Sequence, residues 1–237
     1  MLNFTNTYEE IPEGFQKMDC DDVSGTDLFC DEEAFQVLRN RVGLASGIHM
    51  IDSGNYHYMT RVFTSLLEEP YILVFWDHHT DMKPAMFDML SCGSWAAKIL
   101  AEDNHLKQML VIGPPQKSFD ELPEEILSSP KLVMISEEDF LQKNTVLPEI
   151  MADYPLYLSI DRDILSEEYA LTNWDQGMVS LEQLLESLRM VCSGRKVLGA
   201  DICGLKPNTT GREAVEERKK NAPGEEALRA VLASVIA

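Results

Sequence analysis

Short runs of consecutive apolar residues alternate along this chain with longer stretches whose apolar positions recur at helical spacing. The runs predict strands at 47–52, 71–77, 108–113, 131–135, 155–161 and 196–201. The periodic stretches predict helices near 31–42, 57–68, 93–103, 117–128, 137–143, 180–192, 212–220 and 224–236. Ser180 ahead of Leu181-Glu182-Gln183 supplies a capping-type entry, and Pro223-Gly224 separates the last two helices. Strands that are apolar throughout need cover on both faces, so the expected fold is α/β: a three-layer α/β/α architecture on a mostly parallel sheet. No internal repeat, low-complexity tract or Gly/Ser linker divides the 237 residues, which read as one domain, 1–237.

Charge narrows the range of partners. Forty acids against twenty bases give a net charge of -20, a field that repels polyphosphates and argues against nucleic acid. Residues 1–33 carry ten of those acids and only Lys17 as a base, which reads as a solvated acidic entry segment. The longest apolar run, Tyr71 to Trp76, is too short to span a membrane, and Met1 to Glu10 lack the basic and apolar regions of a secretion signal. The five cysteines, at 20, 30, 92, 192 and 203, form no C-x-x-C pair, so a reducing cytoplasm is the expected location.

The chemistry concentrates where apolar runs end in aspartate, at Asp77, Asp161 and Asp201, because the crevice beyond the carboxyl ends of parallel strands is where ligands bind. In Asp77-His78-His79-Thr80-Asp81 the two-residue period of extended chain puts Asp77, His79 and Asp81 on one side; in Ser159-Ile160-Asp161-Arg162-Asp163 it does the same for the two aspartates. Four carboxylates in one crevice repel severely unless they are protonated or neutralised, and divalent cations supply that counter-charge. An oxygen and imidazole donor set suits hard or borderline metals.

Those two segments resemble the D-A-H-x-D and S-x-D-x-D signatures of the arginase/agmatinase/formiminoglutamase (ureohydrolase) family, in the family's order. Gly54-Asn55-Tyr56-His57 resembles its G-G-D-H segment, and Gly199-Ala200-Asp201-Ile202-Cys203-Gly204-Leu205-Lys206-Pro207 its late strand with the D-x-x-E-x-N-P segment, so the resemblance spans roughly residues 46–207. It implies an arginase/deacetylase-like fold and two Mn2+ ions bridged by hydroxide, with Zn2+ or Fe2+ as alternatives. Asp77 and Asp161 would bridge the ions and be the catalytic pair; His57 and Asp81 would complete one ion's ligands, His79 and Asp163 the other's. His49, the competing histidine, falls inside a strand pattern and is expected to pack.

The implied activity is hydrolysis of a non-peptide C–N bond in a guanidino or related compound. Two departures from the family bear on the substrate. Gly204 stands where arginases and agmatinases carry the Glu that pairs with the guanidinium, and no His lies between His79 and His105 to serve as the second catalytic histidine. Free arginine is therefore not the expected substrate; a larger guanidino compound, including a peptide-borne arginine side chain, fits the gap. Asp175, beside Trp174, is expected to stand in for the missing Glu through a charged fork and a stacked face. Lys83 and Ser94 are further substrate-binding candidates, and Met82, Met86 and Met89 could shape an apolar wall. A homo-oligomer is expected, since the family commonly forms trimers or hexamers. Two other readings are a one-zinc amidohydrolase like the histone deacetylases, which share the fold with fewer carboxylates, and a non-catalytic metal-binding homologue.

Overall fold

The computed structural model describes residues 1–8, 11–84, 89–142, 150–207 and 211–236. In chain order the elements are β1 (Leu2–Asn3), β2 (Met18–Asp19), β3 (Phe29–Cys30), α1 (Glu32–Val42), β4 (Gly47–Met50), α2 (Met59–Thr64), β5 (Tyr71–Trp76), β6 (Leu90–Ser91), α3 (Trp95–Glu102), β7 (Leu106–Ile112), α4 (Gln116–Asp120), α5 (Glu124–Leu127), β8 (Leu132–Ile135), α6 (Glu137–Phe140), β9 (Leu156–Asp161), α7 (Leu181–Cys192), β10 (Val197–Cys203) and α8 (Gly211–Val235). Each of the six predicted strands is present. Together they form one all-parallel sheet in the order β4-β10-β9-β5-β7-β8.

Alternation along β5 shows why two helical layers are required. Leu73 and Phe75 enter the apolar cluster shared with Leu38 of α1, Val62 and Phe63 of α2 and Ile99 of α3. Ile72, Val74 and Trp76 enter the opposite cluster, with Leu184 and Leu188 of α7 and Leu228 and Leu232 of α8. Each such aliphatic side chain, fully removed from water, contributes about 1.5–3 kcal/mol before entropy is counted. The polar tips at the two ends of this run are both satisfied: the Tyr71 hydroxyl donates to Asp103 Oδ2 at 2.7 Å and the Trp76 indole N–H to Ser187 Oγ at 2.9 Å. The three-layer α/β/α expectation holds.

Chain order explains the position of the crevice. From β5 the chain moves outward through β7 to β8, then returns to β9 on the other side of β5 and moves on to β10. Connections leaving β5 and β9 therefore diverge, which opens a switch point between their carboxyl ends. Trp76 and Ile160 are register partners, so Asp77 and Asp161, each one residue further on, stand side by side at that opening.

Four elements differ from the sequence expectation. The 117–128 helix is two short ones, α4 and α5, because Pro123 starts a new helix. The 137–143 helix is α6, ending at Phe140, and residue 143 lies outside the described residues, as does Met86. The helices 212–220 and 224–236 are one, α8, running through Pro223. Proline inside a helix costs one hydrogen bond and about 3 kcal/mol. Here packing of Leu228, Val231 and Leu232 offsets that cost, and Asn221 ties the preceding turn to both backbone groups of Leu171, at 2.7 and 3.0 Å. Finally, β10 runs to Cys203, two residues beyond the predicted end, so Asp201 lies within the sheet rather than at its rim.

The acidic entry segment is not a free tail. Leu2 bridges to Ile51 in parallel, Asp52 accepts from the Phe4 and Thr5 amides at 3.0 and 2.7 Å, and Leu2, Phe4, Cys20 and Cys30 are buried, while Asp19, Asp21 and Asp22 stay in solvent.

Candidate metal centre

His57 ends a single 3-10 turn, Gly54–Tyr56, which is opened by the Ser53 hydroxyl accepting from the Asn55 amide. Its ring is buried and used at both nitrogens. Nδ1 lies 3.1 Å from Asp77 Oδ2, 3.0 Å from Asp81 Oδ2 and 3.6 Å from Asp161 Oδ2. Nε2 is 2.9 Å from Ser159 Oγ, which in turn donates to Asp201 Oδ1 at 2.7 Å. Thr60 Oγ1 donates to the same oxygen at 3.1 Å. With Ser159 committed to Asp201, the His57 Nε2–H is the donor to Ser159, and Nδ1 is left facing the carboxylates. Burial opposes a charge on His57, but Cys203, Asp77 and Asp81 override it and hold the imidazolium well above its usual pKa.

Asp81 adopts a left-handed backbone conformation, φ 50°, which L residues other than Asn and Asp rarely visit. The Trp95 indole N–H donates to its Oδ2, and the Ala96 amide to its carbonyl at 3.1 Å. The Asp81 carboxylate is thus held in one place by its neighbours.

The second half of the cluster is built on the other side of Asp77. His79 Nδ1 lies 2.9 Å from Asp163 Oδ2 and 3.5 Å from Asp77 Oδ1, and its Nε2 lies 3.2 Å from Asp175 Oδ1. Local backbone bonds fix the carboxylates: the His79 amide donates to Asp77 Oδ1, the His78 amide to Asp163 Oδ1 and the Asp163 amide to Asp161 Oδ1. Asp77 Oδ2, fully buried, has no hydrogen-bond partner. Burial and the neighbouring carboxylates push Asp161 up to about 7 and Asp163 up to about 6. His79, opposed by burial but held by Asp163 and Asp77, is raised strongly. An orphaned carboxylate oxygen among protonated acids and imidazoles fits the counter-charge of divalent cations.

The donor atoms fall into compact groups, each within 4.8 Å: His57 with Asp77 and Asp81, Asp77 with His79 and Asp163, and His57 with Asp161 and Cys203. Asp77 is shared between the first two. All six residues singled out as ligands in the sequence line one cavity of about 180 Å³, together with Lys83, Cys92 and Trp174. A larger cavity of about 400 Å³ between residues 1–8 and α8 contains none of them.

The other candidates are distributed as follows. Trp174 packs over Gly54, donates from its indole to Asn55 Oδ1 at 3.1 Å and meets the His79 ring edge-on at 5.8 Å. Asp175 sits at the mouth with its side chain 80% exposed and one oxygen on His79. Ser94 is buried away from the cavity, accepting from the amide and hydroxyl of Ser91. Arg162, between the two aspartates in sequence, turns away from them: it is buried, its Nε donating to the Cys203 carbonyl at 3.2 Å and its Nη1 lying 3.6 Å from Glu225. Gly204 has φ +94°, and a Cβ there would lie 2.5 Å from Asp161 Oδ1, so no side chain enters the site from that position. His49 packs, as expected, stacked on Phe63 at 4.1 Å with its pKa lowered to about 4 by burial.

Sequence reasoning missed the Ser159–Asp201 pair behind His57, although Ser159 shares the two-residue period of Asp161 and so had to point to the same face. Metal-ligating histidines are oriented by such partners, whose loss typically weakens metal binding about 10–100-fold. Ser159→Ala is expected to reduce affinity for manganese by that factor in a competitive chelator titration; an unchanged constant would remove Ser159 from any orienting role.

Comparison with known proteins agrees with the geometry. Residues 32–217 match the profile of the arginase family. An uncharacterized protein of Thermotoga maritima is 36% identical over 158 residues, covering 67% of this chain and 58% of that protein. The chain thus spans little more than half of that relative's length. Among solved structures, formimidoylglutamase from Bacillus subtilis superposes with a TM-score of 0.64 at 14% identity, covering 93% of this chain and 72% of that one. Trypanosoma cruzi formiminoglutamase with Mn2+ gives a TM-score of 0.63 at 14% identity, over 94% and 77% of the two chains. At such identities the superpositions establish the fold. No helix among the described residues is long and apolar enough to cross a membrane.

Proposed function

The chain belongs to the arginase family, and from that premise we propose that it is a hydrolase of a non-peptide C–N bond in a guanidino or amidino compound, working with two divalent cations. The observation that carries this reading is the convergence of His57, Asp77, Asp81, His79, Asp161 and Asp163 on one cavity, with Asp77 common to both halves and one of its oxygens unpartnered. With Asp77 and Asp161 contributing to both, His57 and Asp81 would complete one cation's ligands and His79 and Asp163 the other's. When bound, such a pair lowers the pKa of water so that a nucleophile exists at neutral pH, and polarises the carbon under attack.

The chain's own residues do the rest. Ser159 and Asp201 keep the His57 ring in one tautomer and orientation. Asp175 does the same for His79 through one oxygen and leaves the other at the mouth, beside the Trp174 ring, where a guanidinium can be held by charge and stacking. With Gly204 unable to carry a side chain, Asp175 takes over the recognition that a glutamate there would provide. The exposure of Asp175 supports recognition at the entrance, which suits a guanidino group carried on a larger body, such as an arginine side chain within a peptide.

The test is turnover by manganese-loaded protein across guanidino compounds, amidino compounds and acylated amines, with urea, ammonia and amine release measured. Release of urea or ammonia from the first two classes alone is expected, with Asp175→Ala raising KM when assayed at saturating metal. Silence across the whole panel, or cleavage of acylated amines only, would overturn the assignment.

A further inference from the structure

Cys203 puts a sulfur against the cluster that the hydrolase reading leaves unused. It is the last residue of β10, in register with Asp161 of β9, and its side chain is buried. Sγ is 3.0 Å from Asp161 Oδ2, the same oxygen that lies 3.6 Å from His57 Nδ1. One ring nitrogen of His57, one carboxylate oxygen of Asp161 and Sγ all fall within 4.8 Å of one another. Cys203 packs at the edge of the apolar cluster that includes Val62 and Phe75, yet its thiol is directed at the Asp161 carboxylate. A second observation is Asp77 Oδ2, buried, making no hydrogen bond and 3.1 Å from His57 Nδ1 on this side of the cluster.

We infer that Cys203 is a thiolate ligand of the cation held by His57, Asp81 and Asp161, so that this half of the centre prefers a borderline metal, zinc or ferrous iron, over manganese. The inference rests on the proposed metal centre and specifies its chemistry. On binding, the S–H bond breaks, a metal–sulfur bond forms, and the proton passes to solvent; no electrons change hands. Thiolate donors favour zinc and iron, whereas all-oxygen and imidazole sets leave manganese competitive. The other half, built on His79 and Asp163, has no sulfur within its donor group, so the two positions differ in metal preference.

Cobalt(II) reads both questions at once. Metal-free full-length chain is titrated with Co2+ while the absorption spectrum is followed: visible d–d bands report that cobalt is bound, and a near-ultraviolet sulfur-to-cobalt charge-transfer band reports a thiolate ligand. Both are expected together. Cys203→Ser and Cys203→Ala should keep the visible bands and lose the near-ultraviolet band, and Cys203→Ser should lower the ratio of zinc to manganese affinity about tenfold or more. Cys92→Ser, which removes the thiol that lines the cavity, should keep both bands. Visible bands without the near-ultraviolet band in the unaltered chain would overturn the thiolate and spare the metal centre. A charge-transfer band that survives in the Cys203 variants, or disappears in Cys92→Ser, would overturn the assignment to Cys203. Absence of both bands would overturn the inference along with the metal centre beneath it. The unaltered chain and Cys92→Ser decide the matter even if the Cys203 variants do not fold.

Discussion

Asp161→Asn is expected to stabilise the metal-free protein and at the same time to abolish the turnover proposed for it. The carboxylate of Asp161 is fully buried at the end of β9, and burial together with Asp163 and Asp77 raises it to about 7. At pH 8 it is ionised at a cost on the order of a few kcal/mol, the free-energy equivalent of that displacement. Asparagine keeps the shape and the oxygen that accepts from the Asp163 amide, but carries no charge to repel Asp77 and Asp163. The thermal midpoint of chelator-treated protein should rise by roughly 5–10 °C. Loss of one anionic donor from the cluster should lower metal-dependent turnover about 1000-fold or more. Calorimetry and a turnover assay on the same preparation check both; a lowered midpoint without metal, or turnover within tenfold of the parent, would contradict the role given to this residue.

The second large effect is a pH dependence whose sign changes with metal. Without metal, Asp161 and Asp163 hold protons up to about 7 and about 6 that the unfolded chain gives up near pH 4, so the folded state binds more protons across that window and stability falls as pH rises through it. His57 and His79 act in the same direction: both are raised in the folded state, so their contribution is full below about pH 6.5 and is lost as pH climbs through their folded values. The exposed acids with lowered values, Asp19, Asp22, Glu138 and Asp175, contribute stability that is lost only below the ordinary carboxylate range, outside this window. Divalent metal displaces the cluster's protons, so its affinity, and with it the stabilisation by linkage, grows with pH. The midpoint of chelator-treated protein should therefore drop between pH 5 and pH 8, while the increment produced by excess manganese should widen over the same range. A metal-free midpoint that climbs across this interval, or an increment independent of pH, would contradict the assignment.

The sequence carried the sheet because buried parallel strands leave an unmistakable signature: runs such as Tyr71 to Trp76 have no polar position to confuse the period. The convergence of Asp77, His79, Asp81, Asp161 and Asp163 was legible from the strand ends, but the extended two-residue period expected beyond them does not hold: Arg162–Ile164 form a 3-10 turn and Asp81 is left-handed. What escaped depends on tertiary context. The true end of β10 was hidden because Asp201 looks like a strand terminus, and Cys203, which stands at the rim in its place, looks like filler. Pro223 announces a break that packing against α7 and the sheet overrides. Asp175 and Ser94 both sit in polar loops, and only the folded chain separates the one at the mouth from the one closing a turn with Ser91. The obstruction at Gly204 comes from a residue 43 positions earlier, Asp161, and no local pattern could show it.

The most direct measurement is anomalous diffraction from crystals soaked with manganese. Two peaks are predicted, one beside His57 and Asp81 and one beside His79 and Asp163, with Asp77 and Asp161 between them. A map without density beside Asp77, or with cations only in the larger cavity near α8, would contradict it.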